Sequence, residues 1–113
     1  MSEKMLKFVN IGQQNPPKRD TDNRKEDFNE IYKEFIHGKA QEQSSRCSQC
    51  GVPFCQIHCP LSNNIPDWLK LTAEGRLKEA YELSQSTNNM PEVCGRICPQ
   101  DRLCEGNCVI EQS

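Results

Sequence analysis

An all-α fold is predicted by three features of this sequence. Apolar residues recur at helical spacing in several short stretches, no stretch shows strand alternation or an Asn-Gly or Asp-Gly hairpin signal, and the eight cysteines gather in two loop-like groups, 47–59 and 94–108. The helices are expected to be short, about two to four turns each.

Taken in order, residues 1–23 read as an extended N-terminal docking segment. Pro16-Pro17 and the polar run KRDTDN disfavour regular structure, while Phe8, Val9 and Ile11 offer apolar side chains to dock on another domain, or else fray. From Arg24 the pattern turns helical, with Phe28, Ile31, Tyr32, Phe35 and Ile36 at the spacing of one buried face. Thr21 or Asp22 is the expected cap, and Gly38 the interruption or end. A second helical stretch through AQEQSSR leads into Cys47. After the first cysteine group, Ser62 or Asn64 caps a helix with Pro66 in its first turn and Ile65, Trp68, Leu69 and Thr72 on its apolar face; Gly75 ends it. Leu77, Ala80, Tyr81 and Ser84 form the next face, with Leu83 beside it, before the loop SQSTNN. Pro91 opens the segment that runs into Cys94. Residues 24–113 thus form one helical domain.

The composition calls for a staple. Only 35% of the 113 residues are hydrophobic on a count that includes the cysteines, and chains this small with thin cores are commonly reinforced by disulfides, metals or partners. The net charge of -2, from 14 basic and 16 acidic residues without a basic tract, argues against nucleic-acid binding. No segment is long and apolar enough to span a bilayer. The N-terminus MSEKMLKFVNIGQQNPP has no secretory h-region, so a reducing, cytoplasmic location is expected.

The cysteine spacing is Cys47-x2-Cys50-x4-Cys55-x3-Cys59-Pro60, then Cys94-x3-Cys98-Pro99 followed by Cys104-x3-Cys108. The unit Cys-x3-Cys-Pro occurs in both groups. Eight thiolates match two four-cysteine sites. Disulfides would need an oxidising compartment. Structural zinc accepts paired Cys-x2–4-Cys knuckles, and Cys47-x2-Cys50 fits that pattern. Iron–sulfur ligation explains more: three clustered cysteines, Cys47, Cys50 and Cys55, are followed by a Cys-Pro unit at Cys59 that can reach across to another cluster, as in bacterial ferredoxins. The x4 gap and the helical context differ from the ferredoxin run.

Three long motifs carry a family resemblance: DNRKEDF, RCSQCGVPFCQIHCPLSNNIPDWLKL and MPEVCGRICPQDRLCEGNC. Over nearly its whole length the chain resembles the N-terminal iron–sulfur domain of the small (beta) subunit of NADPH-dependent glutamate synthase. The same domain family includes the N-terminal domain of dihydropyrimidine dehydrogenase. The resemblance implies an alpha-helical ferredoxin-like domain with two 4Fe–4S clusters. It implies that Cys47, Cys50, Cys55 and Cys108 hold one cluster, and that Cys59, Cys98 and Cys104 hold part of the second. The fourth ligand of that second cluster is implied to be a glutamine in dihydropyrimidine dehydrogenase and a glutamate in the glutamate synthase branch, beyond the position of Ser113. Cys94, a nearby Glu, or an incomplete second cluster are the alternatives in this chain.

The resemblance further implies an electron-transfer module. It would relay electrons from FAD, reduced by NADPH on downstream domains of the same subunit, towards the FMN centre of the glutamate synthase large subunit, where glutamate forms from glutamine and 2-oxoglutarate. The chain has no Gly-x-Gly-x-x-Gly and no Walker loop, so it supplies the conduit alone and is expected to be truncated before a flavin/NADPH-binding domain. The rival readings are a zinc-stapled helical interaction domain and the iron–sulfur domain of another NAD(P)H-flavin oxidoreductase.

Among the neighbours of the cysteines, Pro60 and Pro99 are expected to shape the turns or end helices. Gly51, Gly95 and Gly106 would let backbone approach sulfur or form turns, and Arg96 or Arg102 would offset cluster charge or lie in solvent. His58 reads as loop surface, and Trp68 as a packing anchor against Phe28 and Phe35. No catalytic triad or carboxylate pair is present to suggest chemistry of the chain's own.

Overall fold

The most regular helix, Ile65–Ala73, organises the domain in this computed structural model, which describes residues 5–34 and 37–111. In chain order the helices are α1 (Thr21–Arg24), α2 (His37–Ser44), α3 (Phe54–His58), α4 (Ile65–Ala73), α5 (Leu77–Gln85) and α6 (Pro91–Ile97), with 3-10 turns at Lys7–Val9 and Gln100–Arg102. Among the described residues there is no strand, only an isolated antiparallel bridge between Lys18 and Tyr32. The fold is all-α, as the sequence predicts.

Helix α4 follows its periodicity closely. Pro66 occupies the first turn, where a missing N–H costs nothing, and Asn64 stands at the N-cap. Ile65, Trp68, Leu69 and Thr72 are half-buried and Ala73 is fully buried, one residue further along the same stripe. The helix ends in a Schellman motif: the Arg76 N–H bonds the Leu71 carbonyl at 2.9 Å, the Gly75 N–H bonds the Thr72 carbonyl at 3.0 Å, and Gly75 takes φ 80°. That turn lays α5 back against α4, with Ala80 buried between them and Leu77, Leu83 and Ser84 half-buried. Tyr81, expected on the same face, is 59% exposed instead. Helix α2 packs on the other side of α4, and α3 more lightly. The core is thin: Ala73, Ala80 and Pro66 are the buried apolar residues among those described, and Ser44, Ser45 and Arg46 are buried with them.

The largest departure from expectation lies at residues 24–34. The helix predicted from Arg24 stops at once, and the face of Phe28, Ile31 and Tyr32 is exposed, Phe28 completely; Phe35 and Ile36 lie outside the described residues. Local polar side chains capture the backbone there. The Asn29 N–H bonds Asp27 Oδ1 at 3.0 Å and the Tyr32 N–H bonds Glu30 Oε1 at 3.2 Å. The Arg19 guanidinium forks onto Asp27, at 2.8 and 3.2 Å, and also takes the Glu30 and Asn23 carbonyls. The chain folds back so that the Arg19 N–H meets the Ile31 carbonyl and the Lys33 N–H meets the Pro17 carbonyl. Arg96 of α6 then pairs with Glu30, and its guanidinium lies 5.8 Å from the Tyr32 ring centre. Gly38, expected to break a helix, lies inside α2.

Residues 6–14 run beside the end of α2 in the same chain. Leu6 and Lys7 donate their N–H groups to the carbonyls of Cys47 and Ser45, at 2.9 and 3.0 Å.

Candidate metal centre

Both cysteine groups are positioned by helix ends. Helix α2 delivers Ser45 and Arg46 into the interior, and the Cys47 N–H reaches back to the Ser44 carbonyl. The chain then turns through Gln49, which adopts the left-handed φ of 52°. This turn aims both the Gln49 N–H and its Nε2 at Cys47 Sγ, 3.4 and 3.3 Å away, while Nε2 also donates to the Pro66 carbonyl at 2.7 Å. The Ser48 hydroxyl lies 3.1 Å from Cys50 Sγ. Cys55 sits on α3, and Cys59 follows as its C-cap with φ -76° and ψ 124°. Cys98 is the C-cap of α6 with φ -74° and ψ 144°. Each precedes a proline, which disfavours the helical conformation for the residue before it. The repeated Cys-Pro unit therefore ends a helix and turns the cysteine out of it in extended conformation. Asn63 Nδ2 donates to Cys59 Sγ at 3.4 Å.

All eight cysteines are free thiols and half-buried. Cys59, Cys94, Cys98 and Cys104 line one cavity of about 650 Å³, with Trp68 and Leu103 on its apolar wall. That volume falls in the range of about 300–1,000 Å³ usual for cofactor sites. Trp68 thus faces the second cysteine group, and the expected anchoring against Phe28 is absent. The Cys55 thiol is pushed up to about 11, first by burial and then by the neighbouring Cys47, Cys108 and Cys104. Cys55 therefore sits among thiols from both ends of the chain. Burial also raises the Cys104 thiol, assisted by the charges of Glu105 and Cys98.

The donor chemistry fits a cluster. Cysteine sulfurs, once ionised, select zinc, copper(I) or iron–sulfur groups. Among the described residues, no three His, Cys, Asp or Glu side chains stand close enough together to hold a single metal ion. Four thiols spread around one cavity suit a polyatomic group with several corners.

The remaining neighbours have plain roles. His58 is exposed, its Nδ1 2.9 Å from the Phe54 carbonyl. Gly51 and Gly95 have no atom of the chain within 4 Å of where a Cβ would stand, and Gly95 lines the cavity of the second cysteine group. Gly106 does permit a close approach, but to backbone: a Cβ there would lie 2.1 Å from the Asp101 carbonyl oxygen. Arg96 is engaged with Glu30, and Arg102 is exposed. The sulfur-directed amides of Gln49 and Asn63 escaped the sequence reading. The only signal available was an amide side chain two or four residues after a cysteine, which is common in any loop.

A small all-α scaffold carrying eight half-buried thiols on two looped groups defines a cysteine-ligated redox-cluster domain. The chain belongs to the family described as dihydropyrimidine dehydrogenase domain II, 4Fe-4S cluster, whose pattern matches residues 24–113. It is 70% identical over 112 residues to the glutamate synthase [NADPH] small chain of Azospirillum brasilense, covering 99% of this chain and 23% of that protein. To the glutamate synthase [NADPH] small chain of Escherichia coli K12 it is 52% identical over 97% of this chain and 23% of that protein. To the putative oxidoreductase AegA of Escherichia coli K12 it is 49% identical over 84% of this chain and 15% of that protein. The chain thus spans less than a quarter of the length of these relatives. Family membership supports iron–sulfur binding and an electron-transfer role. No helix among the described residues is long and apolar enough to cross a membrane.

Proposed function

We propose that this chain is the electron conduit of an NADPH-dependent glutamate synthase small chain. The observation that supports this most strongly is the 70% identity with the Azospirillum protein across 99% of the chain. In this reading Cys47, Cys50, Cys55 and Cys108 hold one 4Fe–4S group, and Cys59, Cys98 and Cys104 hold a second. When bound, the two groups supply one-electron carriers between FAD reduced by NADPH on the rest of the subunit and the FMN centre of the large subunit. The chain's own residues fix the sulfurs on helix ends, wall off water with Trp68 and Leu103, and direct the amides of Gln49 and Asn63 at Cys47 and Cys59. Hydrogen bonds to sulfur are among the factors that set cluster potentials. Eight free thiols suit the reducing conditions of the cytoplasm.

For the fourth corner of the second group the alternatives are Cys94, which lines the same cavity, a nearby Glu, or a cluster left incomplete in this chain. Anaerobic reconstitution followed by iron, acid-labile sulfide and zinc analysis tests the whole reading. Iron and sulfide in equal amounts are expected in the wild type, whereas stoichiometric zinc without sulfide rejects it. Loss of iron and sulfide in Cys94→Ala assigns the corner to Cys94; full retention rejects Cys94 and points to water, a Glu or an absent second cluster. The relation to AegA supports a second reading, service in another oxidoreductase, though at lower identity over less of the chain. Reduction of the reconstituted protein by NADPH with a glutamate synthase flavin domain, but not with an unrelated flavoprotein, distinguishes the two.

A further inference from the structure

Arg46 stands out among the polar residues because it is only 9% exposed and immediately precedes Cys47. A guanidinium stays charged at every accessible pH, and a charge is tolerated at such depth only with polar or opposite-charge company. One partner is the carbonyl of Ile11, which accepts from Arg46 Nε at 2.8 Å. Gln43 fastens the same segment, donating from Nε2 to the Gly12 carbonyl at 3.1 Å and accepting the Gln14 N–H at 2.9 Å. With the Leu6 and Lys7 bonds to Cys47 and Ser45, residues 6–14 form a strap over the end of α2 and the start of the first cysteine loop. Arg46 also lines a cavity of about 270 Å³ whose other walls include Cys108, Asp101, Glu105 and Glu111. Arg46 is therefore the chain neighbour of the first cysteine and shares a cavity with the last.

We infer that Arg46 is a positioning residue that latches the N-terminal strap and holds a positive charge against the group ligated by Cys47, Cys50, Cys55 and Cys108, raising its reduction potential. The inference rests on the ligand assignment proposed above. One added electron makes a thiolate-ligated cluster one charge more negative, and a nearby cation in a partly dry site favours that form. Asp101, Glu105 and Glu111 act in the opposite sense, so the balance within this cavity sets the bias.

The test is a dithionite titration of the anaerobically reconstituted chain, followed by electron paramagnetic resonance, in the wild type, Arg46→Lys and Arg46→Gln. Arg46→Lys keeps the charge and is expected to keep the potential. Arg46→Gln is expected to lower the reduced-to-oxidised ratio of one cluster about tenfold at a given solution potential, about 59 mV for a one-electron couple, with the other cluster unmoved. An unchanged potential in Arg46→Gln at full iron content, or an equal shift in both variants, overturns the inference. If Arg46→Gln takes up no iron, Glu111→Gln in the same cavity decides: a raised potential supports the charge balance, and an unmoved one overturns it. A wild type without iron and sulfide would instead reject the ligand assignment itself.

Discussion

The thiol of Cys55 must lose its proton to ligate a metal, yet burial and the neighbouring thiols push it up to about 11. Below that value the free group is protonated, so ligation releases a proton and binding strengthens as pH rises and weakens as it falls. Each proton released changes apparent affinity about tenfold per pH unit. Cluster retention measured by competition with a chelator is therefore expected to rise between pH 7 and 9. A pH-independent competition would contradict proton release on ligation. At this scale the sequence was legible at Pro60 and Pro99, expected to shape turns or end helices, where Cys59 and Cys98 cap α3 and α6 in extended conformation. It was silent on Gln49 and Arg46, whose roles depend on a left-handed turn at φ 52° and on burial by a segment some thirty residues upstream.

Turns between elements were the most readable part of the fold, and Gly75 shows why. Only a residue free to take φ 80° can close the α4–α5 turn, and a Cβ at Gly75 would also stand 2.7 Å from Gln41 Nε2 of α2. Gly75→Ala is expected to destabilise the loaded protein by more than about 1 kcal/mol in urea unfolding. Gly38→Ala, inside α2 with no atom within 4 Å of the new methyl, is expected to be neutral or slightly stabilising. Equal effects of the two would contradict this account. The stretch from Arg24 to Tyr32 failed for the opposite reason. Its apolar spacing was helical, but Asp27 and Glu30 bind nearby backbone N–H groups, and Arg19 ties the resulting fold-back to Pro17-Lys18-Arg19. Periodicity counts apolar positions and does not weigh such polar competition. The apolar face of α4 had no such competitors and was legible almost to the residue.

Across the whole molecule, the helical packing centres on α4 with α2, α5 and α3, and its buried apolar residues are small: Ala73, Ala80 and Pro66. Residues 91–111 meet that core at the wall of the cysteine cavity, and Arg96 adds an exposed ion pair to Glu30 of the fold-back. Exposed ion pairs contribute little, about 0–1 kcal/mol each. Metal ligation is therefore expected to supply most of the free energy that holds the two cysteine groups together, since ligand binding to a site absent from the unfolded chain is folding free energy. Removing the clusters with a chelator under reducing conditions should abolish cooperative unfolding. Hydrogen exchange should show protection lost throughout 91–111 and in the strap at 6–14, with any residual protection confined to α4 and α5. A chelated chain that still unfolds cooperatively, with α6 protected, would mean that the protein part alone fixes the second cysteine group. The clusters would then be guests of a preformed site.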